Sequence, residues 1–287
     1  MRNLNPDFLT EYKDKVNRYL EEIFQENPFY PPLFNEAMKY AVFTGGKRIR
    51  AALVLSTVKL FSNYEIGLPF AASIELIHTY SLIHDDLPSM DNDDYRRGKP
   101  SSHKVFGEEL AILAGDGLGT FAYEIMVEKG LKVTSKENVL KIVREVSHAS
   151  GPWGMVGGQA ADILVAKKRI KVEDKREMVK FIHTHKTQKL IAVCPTIGGI
   201  LGHCNSDELH HLKSYGEKIG LAFQIMDDVL DAGKEENTLT FPKVYGIENS
   251  KQIARKLVEE GKEQLTMWGE KARELSDIAD LIIERSS

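Results

Sequence analysis

Six aspartates in two groups are the residues best equipped for chemistry in this sequence. Asp85, Asp86 and Asp91 lie in LIHDDLPSMDNDD, after an apolar stretch over 71–83, and Asp227, Asp228 and Asp231 lie in FQIMDDVLD. Positions 227 and 231 are four apart and share one face of a helix. Carboxylates this close repel one another unless a cation or a proton stands between them, and an oxygen-only donor set without His or Cys favours a hard ion such as Mg²⁺. Mg²⁺ held by only a few carboxylates keeps open positions for phosphate oxygens, so the expected ligand is a diphosphate. A solvated helix end or an ion-pair network is the alternative reading of either cluster. Two clusters, each emerging from an apolar helical segment, favour the metal.

The basic residues are placed to agree. Gly45-Gly46-Lys47-Arg48-Ile49-Arg50 sets cations just after a flexible glycine pair, and Arg96-Arg97 follows the first aspartates closely. Lys186, in HTHKTQKL, shares a helical face with His183 and Leu190. Each of these alone reads as ordinary surface, and only the whole set points to a ligand. His78, on the apolar stretch, reads by itself as a core histidine, and His84 is read as structural.

The elements that must carry these residues are helices. Apolar residues recur at three- and four-residue intervals, as in Phe8, Tyr12, Val16, Tyr19, Leu20 and Ile23, and alternating stretches are nearly absent, so an all-α chain of roughly ten helices is expected. Breaks fall at Asn27-Pro28 with Pro31-Pro32, at Gly45-Gly46, at 98–102, at 151–158, at 205–207 and at 233–242. No repeat is evident, which sets solenoids aside. One internal echo remains: Ile83-His84-Asp85-Asp86-Leu87 against Ile225-Met226-Asp227-Asp228-Val229, two apolar segments each ending in paired aspartates.

Composition narrows the class. With 42% hydrophobic and 28% charged residues the chain can bury a sizeable core behind a soluble surface. A formal charge of −4, with Lys and Arg scattered among Asp and Glu, offers no field to recruit nucleic acid. The N-terminus has no continuous apolar core of a signal peptide, and the most apolar uncharged run, 190–202, is interrupted by Pro195 and glycines and falls short of the roughly 20 residues that span a bilayer. A cytoplasmic protein without stable membrane insertion is expected. The two cysteines, Cys194 and Cys204, are expected to be core thiols.

In chain order, GGKRIR, IHTYSLIHDDLPSMDNDDYRRGKPSSH, GD at 115–116, GGQAAD at 157–162, HKT at 185–187, FQIMDDVLD and FPKVYGIE resemble the trans-isoprenyl diphosphate synthases, the polyprenyl synthetase family, from about residue 35 to the C-terminus. The block IHDDLPSMDNDDYRRGKP is the specific part; GGQ alone is weak. The resemblance implies one domain over 1–287 with an isoprenoid synthase fold: packed helices around a deep central cavity, usually as a homodimer.

It also implies a reaction. Mg²⁺, three ions with diphosphate bound, would bridge Asp85, Asp91 and Asp227, with Asp86, Asp228 and Asp231 as ligands or their supports, and would neutralise the diphosphate leaving an allylic substrate. Isopentenyl diphosphate, held by Lys47, Arg50, His78 and Arg97, would attack the allylic cation with its double bond, and the released diphosphate would take the proton. Arg96 and Lys186 would contact the allylic diphosphate, while oxygens of Thr187 and Gln224 face the cation. A dry apolar cavity protects that cation from water.

Tyr80 lies five residues before Asp85, about 7.5 Å along a helix, where a ring would stop a growing chain; Ser81, one residue nearer, is small. With the longer first cluster, DDLPSMD, this resembles bacterial-type farnesyl diphosphate synthases, the alternative being a geranylgeranyl diphosphate synthase. Core packing is the other reading of Tyr80. Two features depart from the family. Gln188 stands where KTG is usual, and residues 232–241 are shorter than the usual loop and lack its Gly-Lys and Asp-Lys. Lys234 reads as an ordinary loop lysine or as a substitute phosphate contact. The rival classes are a class I terpene cyclase, whose second metal site normally mixes Asn or Asp with Ser or Thr and Glu, a His-Asp phosphohydrolase, which needs further histidines, and a non-catalytic regulatory subunit, which need not retain both aspartate clusters.

Overall fold

The computed structural model describes residues 7–26, 28–233 and 238–284. Asn27 and Lys234, both named above, lie outside the described residues. Of the described residues 78% are helical, and the strands among them are two residues long.

Two compact units divide it. The first, Asp7–Leu55 with Tyr64–Val139, holds α1 (Asp7–Glu26), α2 (Pro32–Phe43), the start of α3 (Ile49–Lys59), α4 (Leu68–Asp85), α5 (Ser102–Phe106), α6 (Glu108–Glu128) and the start of α7 (Lys136–Ser150). The second, Ser56–Asn63 with residues 140–284, holds the rest of α3 and α7, then α8 (Met155–Ala166), α9 (Lys175–His183), α10 (Lys189–Leu201), α11 (Ser206–Leu230), α12 (Phe241–Tyr245), α13 (Ile247–Glu263) and α14 (Arg273–Glu284). Fourteen α-helices among the described residues agree with the expectation of roughly ten or more; two of them, α5 and α12, are only five residues long.

In the first unit α1 buries Leu9, Tyr12, Val16, Leu20, Ile23 and Phe24, the expected stripe with Leu9 and Phe24 replacing Phe8 and Tyr19. Pro32 opens α2 at a position where its missing N–H costs nothing. Helix α4 is apolar almost all round, as a core helix is. By length and hydropathy Tyr64–Asp85 and Glu108–Lys132 would each suffice to cross a bilayer, although both contain charged residues; 67% and 44% of their apolar windows are buried inside the protein.

A two-residue hairpin, β1 (Tyr95–Arg96) against β2 (Lys99–Pro100), turns through Arg97 and Gly98, both at positive φ (55° and 79°). Such a turn matches the twist of its strands and sets both arginines at its tip.

In the second unit a capping box at Asn205 and Glu208 starts α11, which runs to Leu230. The expected break over 151–158 is shorter than read: Gly157 and Gly158 lie inside α8. A Cβ on Gly158 would sit 2.1 Å from the backbone nitrogen of Lys186, so this glycine serves close packing rather than a turn. Residues Thr184–Gln188 form a π-helical turn between α9 and α10. Such turns are rare and frequent at functional sites.

Candidate active site

In the first unit α4 ends at Asp85, and the chain winds through a turn in which Leu87 N–H donates to His84 O (3.2 Å) and Met90 N–H to Leu87 O (2.9 Å). The turn returns the amide of Asp91 to the carbonyl of Asp85 at 3.0 Å. Asp86 points inward. It is 3% exposed and accepts from Arg96 Nε at 2.9 Å and again from Nη2, which also reaches Asp93 at 3.0 Å. Burial raises the Asp86 pKa despite this pair. Burial also opposes the charge on Arg96, but the Asp86 bond and the charges of Asp86, Asp93 and Asp85 outweigh it and raise its pKa.

The GGKRIR segment divides its cations. Arg48 is 4% exposed and structural: its guanidinium meets Asn17 Oδ1 (3.1 Å), Glu75 Oε2 (3.4 Å) and Val42 O (2.5 Å), while Glu75 also accepts Ala51 N–H (3.1 Å). Lys47 beside it is exposed. Gly45 and Gly46 sit at φ 114° and 125°, and Arg97 lies across them, donating to Gly45 O; a Cβ on Gly46 would be 2.6 Å from Arg97 Nη1. Hence the glycine pair and the hairpin tip occupy one place. The imidazole of His78 is held well below its usual pKa, by burial first and then by Arg50, Arg97, Arg48 and Arg96. Three expected ligands, Arg50, His78 and Arg97, therefore share a strongly cationic region with a neutral imidazole, which suits an anion.

Tyr80 is half-buried, and its ring packs on α6: a Cβ on Gly119 would be 3.2 Å from it. Burial, then Tyr123 and Asp85, push its hydroxyl up to about 12. Ser81 Oγ donates to His78 O at 2.8 Å. His84 donates to Ile112 O at 3.0 Å, and a Cβ on Gly115 would be 2.1 Å from its Nε2, so the GD motif makes room for a histidine that joins α4 to α6.

In the second unit a cavity of about 410 Å³ is lined by Asp227, Asp228, Asp231, Lys186, Thr187 and Gln224 together with Ala232, Gly233 and residues 238–240. Asp228, 9% exposed, is held from three sides: His183 Nε2 at 2.7 Å, Phe241 N–H at 2.8 Å and Gln224 Nε2 at 3.0 Å. Thr187 Oγ donates to Gln224 Oε1 at 2.6 Å, and Lys186 Nζ to Asp162 Oδ2 at 2.6 Å. The π-turn places Lys186 and Thr187, consecutive in sequence, each against its own partner. Gln188 fits its helix position by donating to Glu217 O at 2.7 Å.

Sequence reasoning did not assign roles to Asp162 or His183. GGQAAD and HTHKTQKL contained them, but only packing shows that they hold Lys186 and Asp228. Among the described residues no three carboxylate, imidazole or thiol groups form a ready-made metal site. The donor chemistry still fits Mg²⁺: oxygen-only pairs, Asp85 with Asp91 and Asp227 with Asp231, suit an ion that completes its shell with phosphate oxygens and water.

The family model for polyprenyl synthetase matches residues 31–266. The chain is 39% identical over 289 residues to a chloroplastic geranylgeranyl pyrophosphate synthase of Catharanthus roseus, covering 96% of this chain and 79% of that one. To the farnesyl diphosphate synthase of Geobacillus stearothermophilus it is 39% identical over 296 residues, 97% of each. The crystal structure of a geranyltransferase from Legionella pneumophila superposes with a TM-score of 0.90 at 36% identity, covering 97% of this chain and 96% of the other.

Proposed function

The chain belongs to the polyprenyl synthetase family, and on that premise we propose that it condenses isopentenyl diphosphate with dimethylallyl or geranyl diphosphate, releasing farnesyl diphosphate as its main product. It is a short-chain trans-prenyltransferase of isoprenoid biosynthesis with the isoprenoid synthase fold. Its family is generally magnesium-dependent. The matched span, 31–266, takes in parts of both units, which supports reading 1–287 as one catalytic domain.

The observation that carries the proposal is the cavity in which Lys186, Thr187 and Gln224 stand with Asp227, Asp228 and Asp231. A diphosphate needs cations, and a developing allylic cation needs oxygen dipoles; this set supplies both. Asp85 and Asp91 in one unit would hold Mg²⁺, and so would Asp227 and Asp231 in the other, up to three ions in all, with Asp86 and Asp228 set by their own hydrogen bonds as supports. Bound there, Mg²⁺ would neutralise charge on the leaving diphosphate. Arg96 is engaged with Asp86 and Asp93, so its part would be to fix Asp86 as much as to meet phosphate. Lys47, Arg50, His78 and Arg97 would take the diphosphate of the nucleophile, supported by the depressed basicity of His78 among arginines.

The farnesyl product rests on Tyr80, whose ring abuts α6 at Gly119. A homodimer is proposed with it, supported by Ile112, Leu113 and Val127 of α6, which are 42%, 53% and 42% exposed. A cytoplasmic location goes with the same reading.

The test is incubation with labelled isopentenyl diphosphate, Mg²⁺ and each allylic starter, with EDTA controls and chromatography of the dephosphorylated products. EDTA-sensitive farnesol is expected. Geranylgeraniol as the main product would overturn the chain length, and cyclised hydrocarbon without condensation would overturn the reaction.

A further inference from the structure

The cavity beside Asp227 is lined by a second lysine besides Lys186. Lys243, on α12, donates from Nζ to Thr238 O at 2.7 Å, and both residues line the cavity with Asp227, Asp228 and Asp231. Its helix is anchored at the first residue, where Phe241 N–H donates to Asp228 Oδ2 at 2.8 Å. A cation is thus tethered on two sides: through the helix to an aspartate of the cluster, and through its own hydrogen bond to Thr238.

The position matters because of charge. A diphosphate brings several negative charges into a cavity that already carries three carboxylates, and Lys186 is committed to Asp162 at 2.6 Å. Lysine on a four-carbon stem acts as a point charge that can follow a phosphate oxygen over a few ångströms.

We propose that Lys243 is a diphosphate-binding residue of this cavity, acting with Lys186 on the allylic substrate. The proposal rests on the reading of function above and assigns part of its substrate recognition to α12. Lys243 is exposed at the cavity edge, so its replacement leaves the core untouched.

The experiment compares full-length wild type with Lys243→Ala, Lys243→Gln and Lys243→Arg by calorimetric titration with inorganic pyrophosphate and Mg²⁺, and by steady-state kinetics where there is turnover. Glutamine can still donate to Thr238 O but carries no charge, which separates pinning of the chain from phosphate binding. Expected are losses of about tenfold to a hundredfold in pyrophosphate affinity for both Ala and Gln, near wild-type affinity for Arg, and a matching rise in KM for the allylic substrate with KM for isopentenyl diphosphate unchanged. Wild-type affinity in Lys243→Gln, or no pyrophosphate binding by the wild type, overturns the assignment. The titration needs no turnover. A wild type that makes no prenyl product yet binds pyrophosphate through Lys243 removes the reaction and keeps the residue, whereas normal turnover with unchanged affinities in Ala and Gln does the reverse.

Discussion

The amide of Asp91 donates to the carbonyl of Asp85 at 3.0 Å, and the amide of Asp231 donates to the carbonyl of Asp227 at the same distance. The second pair is one turn of helix. The first spans six residues, and the turn through Leu87 and Met90 absorbs the two extra ones. Both clusters therefore carry their first and last aspartates in the same backbone relationship despite different spacing. Replacing Asp85 or Asp227 by alanine should lower turnover by at least about a hundredfold while leaving the circular dichroism spectrum unchanged, because each loses charge stabilisation and neither is a buried core residue. Near-normal rates in either variant would remove the metal assignment.

Tyr80 meets α6 where Gly119 has no side chain. Tyr80→Ala should open space along α4 and shift product toward twenty carbons or more, read by chromatography of the dephosphorylated products. An unchanged product distribution would clear Tyr80 of this role and leave it as packing.

Gly158 touches the backbone of the π-turn, with a Cβ position 2.1 Å from Lys186 N and 2.6 Å from His185 C. Backbone cannot swing aside as a side chain can, so Gly158→Ala should cost about 1–3 kcal/mol, seen as a lower Tm, and should raise KM for the allylic substrate by displacing Lys186. A stable variant with unchanged KM would mean that the turn adapts without moving its lysine.

His78 sets a pH dependence. Its pKa in the folded protein lies below the ordinary 6.5, so between those values the unfolded chain binds the extra proton. Its contribution to stability is therefore full above about pH 6.5 and is lost as pH falls through the folded value. Denaturant titrations of wild type and His78→Asn from pH 7.5 to 5 should show wild type losing stability faster on the acid side. Parallel curves would show that His78 titrates normally.

Much was legible before folding was considered. The helical period, the identity and spacing of both aspartate groups, and the cations of GGKRIR and Arg96-Arg97 are local properties, visible in stretches of a few residues. A buried helix such as α4 is apolar on all sides, and any polar group at its end stands out against that background.

Pairings between distant segments were not legible. Arg48 and Arg50 look alike in GGKRIR, yet Arg48 is buried against Glu75 of α4 and Asn17 of α1. Asp86 and Asp228 each read as the second member of a pair, and packing gave one to Arg96 and the other to His183, Gln224 and Phe241. Gly157 and Gly158 read as a break because glycine loosens a chain, whereas here Gly158 permits two helices to touch.

The sequence by itself determined which residue types are present for metal and phosphate chemistry and at what local spacing, since helix period and charge repulsion act over a few residues. Only the tertiary structure decided which of them are held, by what partner and in what state of burial. Those outcomes depend on hydrogen bonds spanning from 10 residues, as in Arg96 to Asp86, to 45, as in His183 to Asp228, and on close packing that no local pattern encodes.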